Sequence, residues 1–313
     1  MKERLLQNGR LLPALEAALA DRYELHPLWR EADPQAFLAA HGADFAGYIA
    51  SARLGADAGM LAALPNLRVV SIVGVGLDAV DLGAARARGI AVGYTPQVLD
   101  DCVADTALLL LLDVARRGSE ADRFVRRGAW AGGAAFALGT RASGKRVGIL
   151  GLGRIGRAIA RRCAGFDMEI RYHNRRPLAD VPYGYAASAL ELARWAEFLV
   201  VAAAGGPASR HLVSAEILDA LGPRGFLVNI ARGSVVDEQA LAAALAQGRL
   251  AGAGLDVYAH EPQVPEALLR LDNTVLLPHI SSATHETRQA MADLALANLQ
   301  AFFDTGAVRV AAW

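Results

Sequence analysis

The apolar positions of this chain fall into short unbroken runs, each closed by glycine, proline or a charged residue. "RVVSIVGVGLDAVD" (68–81) reads as a strand, a glycine-bearing loop and the start of a helix. "GIAVGYTP" (89–96) reads as a second short strand, ended by Pro96. The pattern returns in "VGILGLGRIG" (147–156), in the strand-like Met168 to Tyr172, where Glu169 and Arg171 interrupt it, and in "FLVVAAAGG" (198–206). It continues through "GFLVNIARG" (225–233), "AGAGLDVY" (251–258) and "TVLLPHI" (274–280). Strands that are apolar throughout, rather than alternating, are what a parallel sheet buried on both faces requires. Helical periods lie between several of them. Asp100 and Asp101 offer an N-cap for a long helix to about Arg116, with Val103, Leu108, Leu111 and Leu112 on its apolar face. "DEQALAAALAQG" and a last helix, about Glu286 to Phe303, follow the same period. The alternation predicts an α/β fold with a doubly wound parallel sheet. Two domains are expected: a discontinuous one over 1–96 and 284–313, and a second over 97–283 that contains the irregular, glycine-rich segment from Gly128 to Gly144.

Composition narrows the class. A chain of 313 residues, 54% of them apolar, has ample material for a core. Its formal charge is zero, so no general basic field exists for nucleic acid or an anionic membrane, and any anion site must be local. The run Ala107 to Leu112 is far too short to span a bilayer, and the N-terminus lacks the apolar core of a signal peptide. Cys102 and Cys163 are the only cysteines, with no metal-type spacing, and read as idle thiols in a reducing cytoplasm. No metal is expected.

Gly151, Gly153 and Gly156 form GxGxxG between a strand and a helix start. Such a turn accommodates a dinucleotide. The first glycine makes the tight bend, the second admits the pyrophosphate, and the third lets helix and strand pack. Free N–H groups at the helix start then face the phosphate. About 20 residues on, an acid is expected to hold a ribose hydroxyl. This chain has Asn174, followed by Arg175 and Arg176. Asparagine removes the charge that would repel a 2′-phosphate, and two guanidinium groups supply donors for it. NADP(H) is therefore expected over NAD(H), with Arg154 in the turn as a further phosphate contact.

Three charged residues follow later strands: Arg232 in "NIARGSVVDEQAL", Glu261 in "LDVYAHEPQVP" and His279 in "LLPHISSAT". Ligands of open α/β sheets bind at the carboxyl ends of strands. Together the three suit a 2-oxo acid. Arg232 grips the carboxylate, His279 protonates the carbonyl oxygen as hydride arrives at carbon, and Glu261 orients the imidazole and favours its charged form. Singly, Glu261 could cap a turn and His279 could be a satisfied interior histidine.

The blocks "VGVGLDAVDL", "VLDDCVADTALLLLL", "GLGRIG", "NIARGSVVDEQALAAAL", "GAGLDVYAHEP" and "LLPHISSAT", in this order, resemble the D-2-hydroxyacid dehydrogenase family over nearly the whole chain. "YHNRR", "RRGAW" and "HEPQVPEAL" are most similar to its NADPH-dependent glyoxylate/hydroxypyruvate reductases and to hydroxyphenylpyruvate reductases. The resemblance implies two Rossmann-like domains: the dinucleotide-binding one and a flavodoxin-like substrate domain. It implies that Arg232, Glu261 and His279 are catalytic, and that Val75 and Gly76 bind the substrate carboxylate through backbone N–H groups beside Leu54. It places Thr106, Ile155, Ala203, Ile230 and Ser282 near the cofactor, and Asp256 on the nicotinamide amide. It also implies a homodimer with an arm around Trp130, for which a local core role is the other reading. Two departures leave the substrate open: Ile280, Ser281 and Ser282 stand where many relatives have Gly or Gly-Ser, and segment 131–142 is small and apolar. A 2-ketogluconate reductase is a second enzyme reading. A formate dehydrogenase fits less well, because that branch has glutamine at the position of Glu261. The long phosphoglycerate dehydrogenases carry a regulatory domain that is not expected here. A cofactor-sensing corepressor is the non-enzyme reading.

Overall fold

The unbroken apolar runs become parallel strands. The structure, a computed structural model, describes residues 2–313. Its strands are β1 (Arg4–Asn8), β2 (Glu24–Pro27), β3 (Gly47–Ser51), β4 (Val69–Val73), β5 (Ala91–Gly93) and β6 (Arg146–Leu150), then β7 (Glu169–His173), β8 (Gly184–Tyr185), β9 (Phe198–Val201), β10 (Phe226–Asn229), β11 (Gly252–Leu255) and β12 (Thr274–Leu276). The chain divides into two compact units, one up to Leu99 with Ala283–Trp313 and the other Asp100–Ser282. The first unit holds a five-stranded sheet in the order β2-β1-β3-β4-β5. All its pairings are parallel, and the order is that of flavodoxin-like sheets. The second holds seven parallel strands in the order β12-β11-β10-β9-β6-β7-β8. Counted from β6, this is the doubly wound dinucleotide-binding order with one strand added. Its strand order reverses between β6 and β9, where such sheets open a ligand crevice.

Helices bury apolar stripes against both sheets. In the first unit, helices Pro13–Arg22 and His285–Thr305 place Leu15, Leu19, Ala292, Ala295 and Leu299 against Leu5, Ile49 and Val69. The Ser71 hydroxyl donates to the Ala295 carbonyl at 2.9 Å, which fixes the last helix on β4. The opposite face is filled by Leu6, Phe45, Tyr48, Ile72 and Val92. In the second unit, Leu192, Leu199, Leu227, Leu241 and Leu255 belong to one continuous core.

Helix Asp100–Arg116 buries Val103, Leu108 and Leu111, while Leu112 is only partly covered. Asp100 and Asp101 do not cap it. A turn at Val98 and Leu99 runs straight into the helix, so both acids already lie in its first turn. Their charges still favour the positive helix end. A further helix, Gly118–Arg126, precedes the irregular segment. No helix among the described residues is long and apolar enough to cross a membrane. Cys102 and Cys163 form no disulfide, and burial pushes the Cys163 thiol up to about 12, which makes it a poor nucleophile.

Candidate active site

The glycine-rich turn follows β6 directly and leads into helix Arg154–Ala164. Each of its glycines meets a different demand. Gly151 has φ +100°, and a Cβ there would lie 2.6 Å from the Ala203 nitrogen beyond β9. A Cβ on Gly156 would lie 2.2 Å from the Gly151 carbonyl oxygen, so glycine is what allows helix and turn to touch. Gly153 meets nothing within 4 Å and is exposed. That open side is the one a pyrophosphate needs. Arg154 and Ile155 begin the helix, and Arg154 lies 3.5 Å from Asp100. Burial raises the pKa of the Asp100 carboxyl, with the Arg154 charge opposing.

Asn174 follows β7, and its side-chain oxygen accepts the Leu152 N–H of the glycine turn at 2.7 Å. It therefore braces the turn. Arg175 and Arg176 are exposed and form no ion pair among the described residues. Thr106 sits mid-helix with its hydroxyl on the Cys102 carbonyl at 3.3 Å, and Ile230 is buried just beyond β10.

Arg232, Glu261 and His279 follow β10, β11 and β12, which are neighbours in the sheet. The turn bearing Arg232 is held by Asn229, the buried last residue of β10. Its side chain accepts the Ala231 N–H at 3.1 Å and donates to the Arg232 carbonyl at 3.0 Å. Gly233 then packs against the Tyr258–Ala259 backbone, where a Cβ would lie 1.9 Å from a carbonyl carbon. This contact ties the Arg232 turn to the one that carries Glu261. Glu261 accepts the Tyr258 N–H at 3.1 Å with one oxygen and meets His279 Nδ1 at 2.7 Å with the other. Burial acts to raise its pKa. The His279 hydrogen bond, the Tyr258 N–H and the charges of His279 and Arg232 outweigh burial and hold the carboxyl below the usual glutamate range.

His279 itself has φ +56°, a conformation uncommon for a side-chain-bearing residue. The turn that imposes it is clamped by Asp256, which is wholly buried. Asp256 accepts the Ile280 N–H at 2.7 Å, the Ser281 N–H at 2.9 Å and the Ser281 hydroxyl. Its carboxylate thus braces the turn that carries His279. Ser282 is half-buried next to this turn.

In the other unit, Leu54 is 43% exposed, and Val75 and Gly76 lie in the loop after β4. Neither Val75 nor Gly76 donates its N–H within the protein among the described residues. Trp130 is 70% exposed, which rules out the local core reading. No described His, Cys, Asp or Glu residues group as metal ligands. Asn229 carries a sequence signal of its own: it is an uncharged polar residue set within the apolar run FLVNI.

Two doubly wound parallel sheets, one with a phosphate-binding glycine turn, define a two-domain nucleotide-binding α/β protein. The chain belongs to the D-isomer specific 2-hydroxyacid dehydrogenase family, whose NAD-binding domain matches residues 108–281. It is 48% identical to the hydroxyphenylpyruvate reductase of Plectranthus scutellarioides over 92% of each chain. It is 47% identical to glyoxylate/hydroxypyruvate reductase A of Arabidopsis thaliana, again over 92% of each. Among solved structures, it superposes on an NADPH-dependent glyoxylate/hydroxypyruvate reductase from Sinorhizobium meliloti, in complex with NADP and malonate, with a TM-score of 0.94. That match has 41% identity and covers 99% of this chain and 97% of that one.

Proposed function

We propose that this protein uses NADPH to reduce small 2-oxo acids, glyoxylate and hydroxypyruvate foremost, to 2-hydroxy acids that are D-configured where C2 is chiral. The observation that carries the reading is the 2.7 Å pairing of His279 with Glu261, with the Arg232 charge acting on the same carboxylate. Glu261 holds Nδ1, so Nε2 of His279 is the nitrogen that gives a proton to the substrate carbonyl oxygen. Arg232 pairs with the substrate carboxylate. Bound NADPH supplies the hydride to C2. Each turnover converts one oxo acid, one NADPH and one proton into hydroxy acid and NADP⁺. Val75 and Gly76 offer N–H groups to the carboxylate, and Leu54 touches the substrate's remainder.

Gly151, Gly153, Arg154, Ile155, Gly156 and Ala203 surround the coenzyme phosphates, with Thr106 nearby and Ile230 and Ser282 toward the nicotinamide. Asn174, Arg175 and Arg176 favour the 2′-phosphate. The Sinorhizobium relative, solved with NADP and malonate, supports the choice of coenzyme. Asp256 braces the His279 turn and is the residue assigned to the nicotinamide amide. In this reading residues up to Leu99 with Ala283–Trp313 form the substrate domain, and Asp100–Ser282 the dinucleotide domain. Similarity to hydroxyphenylpyruvate reductase, and 42% identity to the 2-ketogluconate reductase of Gluconobacter oxydans, keep bulkier oxo acids as second candidates. Initial rates with NADPH and NADH against glyoxylate, hydroxypyruvate, hydroxyphenylpyruvate and 2-ketogluconate test the reading. We expect the highest kcat/KM with NADPH and one of the first two acids. Absence of NADPH oxidation with all four would sink it.

The same reading includes a homodimer and a cytoplasmic location. Leu109, Val125, Trp130 and Leu138 are exposed large apolar side chains within one stretch of the second unit, between 52% and 96% accessible. Such a concentration supports the reading of this stretch as an association surface. Sedimentation velocity is expected to give a dimer, and Trp130→Ser with Leu138→Asp a monomer. A wild-type monomer at micromolar concentration would refute the interface. Two cysteines outside any disulfide suit a reducing compartment, which cell fractionation checks.

A further inference from the structure

Thr95 is completely buried at the end of the last strand of the five-stranded sheet. Its hydroxyl accepts the Gly74 N–H at 2.8 Å, and its own N–H donates to the Gly74 carbonyl at 2.9 Å. One residue thus takes both backbone groups of Gly74, immediately before Val75 and Gly76. The partners are closed in on every side. Pro96 restricts Thr95 to extended backbone. Tyr94 is held by the buried Asn298, whose amide donates to its carbonyl at 3.1 Å, while the Tyr94 N–H reaches the Val310 carbonyl at 3.4 Å. Gly74 has φ +146°, and a Cβ there would lie 2.4 Å from the Ala52 methyl. The Ala52 N–H in turn donates to the Val73 carbonyl at 3.0 Å. Gly74 is therefore fixed from two directions, while the next two N–H groups have no partner within the protein among the described residues.

We propose that Thr95 is a positioning residue: its hydroxyl locks Gly74 so that the N–H groups of Val75 and Gly76 stand ready for the substrate carboxylate. The inference rests on the reading of Val75 and Gly76 as carboxylate donors. Thr95 touches neither substrate nor coenzyme. Its loss leaves the Gly74 N–H buried without an acceptor, so the loop must shift to find one. A shift of this kind weakens carboxylate binding in ground state and transition state alike, and so moves KM rather than kcat.

Thr95→Val removes the hydroxyl at nearly constant shape. With NADPH and glyoxylate, KM is expected to rise about tenfold while kcat stays within about twofold, and NADPH affinity by fluorescence titration is unchanged. Amide hydrogen exchange in peptides spanning 74–76 becomes faster. Thr95→Ser restores wild-type values for all of these. Thr95→Cys, a weak acceptor, serves where the valine variant does not fold and follows the valine pattern. Unchanged exchange at 74–76 overturns the proposal, because Thr95 then does not hold the loop. Faster exchange with unchanged KM shows a held loop that binds no carboxylate. That result removes the reading of Val75 and Gly76, and the proposal with it. A fall in kcat at constant KM also overturns it.

Discussion

Replacing His279 by alanine will lower kcat by roughly 10²- to 10⁴-fold while NADPH binding persists. The size follows from the acid role proposed for the imidazole. Hydride arriving at C2 leaves negative charge on the carbonyl oxygen, and without a placed acid that charge must be quenched by water. His279 is well suited because its geometry is over-determined. Asp256 clamps the following turn, the backbone takes φ +56°, and Glu261 fixes Nδ1 at 2.7 Å. None of these contacts touches the glycine turn, so coenzyme affinity measured by fluorescence should stay near wild type. Glu261→Gln keeps a hydrogen-bonding oxygen but deletes the charge, and its kcat should fall less than that of His279→Ala. The sign of the acid limb follows from Glu261. Its folded pKa lies below the usual glutamate value. Its stabilising contribution is therefore complete above that usual value and is lost only as pH falls through the lower, folded one. Wild-type activity and stability should hold into mildly acid solution, and Glu261→Gln should flatten that limb. A His279→Ala variant that turns over normally with bound NADPH would remove the proposed acid.

The parts of this site that were legible in the sequence are those whose chemistry is local. GxGxxG compresses three steric demands into six residues, and the structure shows three different reasons for its three glycines. Arg232, Glu261 and His279 were found because each ends a short apolar run, where a parallel sheet presents ligands. The supporting residues were not legible, because their partners lie far along the chain. Asp256 meets Ile280 and Ser281 24 and 25 residues away, and Thr95 meets Gly74 after 21. Nothing about an aspartate that ends an apolar run says that it will also clamp a backbone turn. Helix Gly118–Arg126 was missed because it buries a single residue, Phe124, and its other positions are mostly polar. The cap expected of Asp100 and Asp101 failed by one or two residues, the feature of a helix boundary that sequence fixes least.

Arg175→Ala with Arg176→Ala will weaken NADPH about a hundredfold while leaving NADH nearly unchanged. Each guanidinium can donate charge-assisted hydrogen bonds to a 2′-phosphate, worth about 1.5–3 kcal/mol apiece in protected settings. Both arginines are exposed, so salt and solvent reduce that figure, and a total near 2.7 kcal/mol, about two decades, is the reasonable sum. NADH has no 2′-phosphate to lose. Asn174 makes the complementary test, because its oxygen already accepts the Leu152 N–H at 2.7 Å. Aspartate can accept the same bond, so Asn174→Asp preserves the brace on the glycine turn and changes only the charge. It should bring NADH binding up through the ribose hydroxyls and drive NADPH binding down by repulsion. Asn174→Ala, by contrast, removes the brace and should weaken both coenzymes together. Equal losses for NADPH and NADH in the double arginine variant would show that these cations stabilise the domain rather than read the phosphate. The opposite responses of the aspartate and alanine variants separate charge from structure at one position.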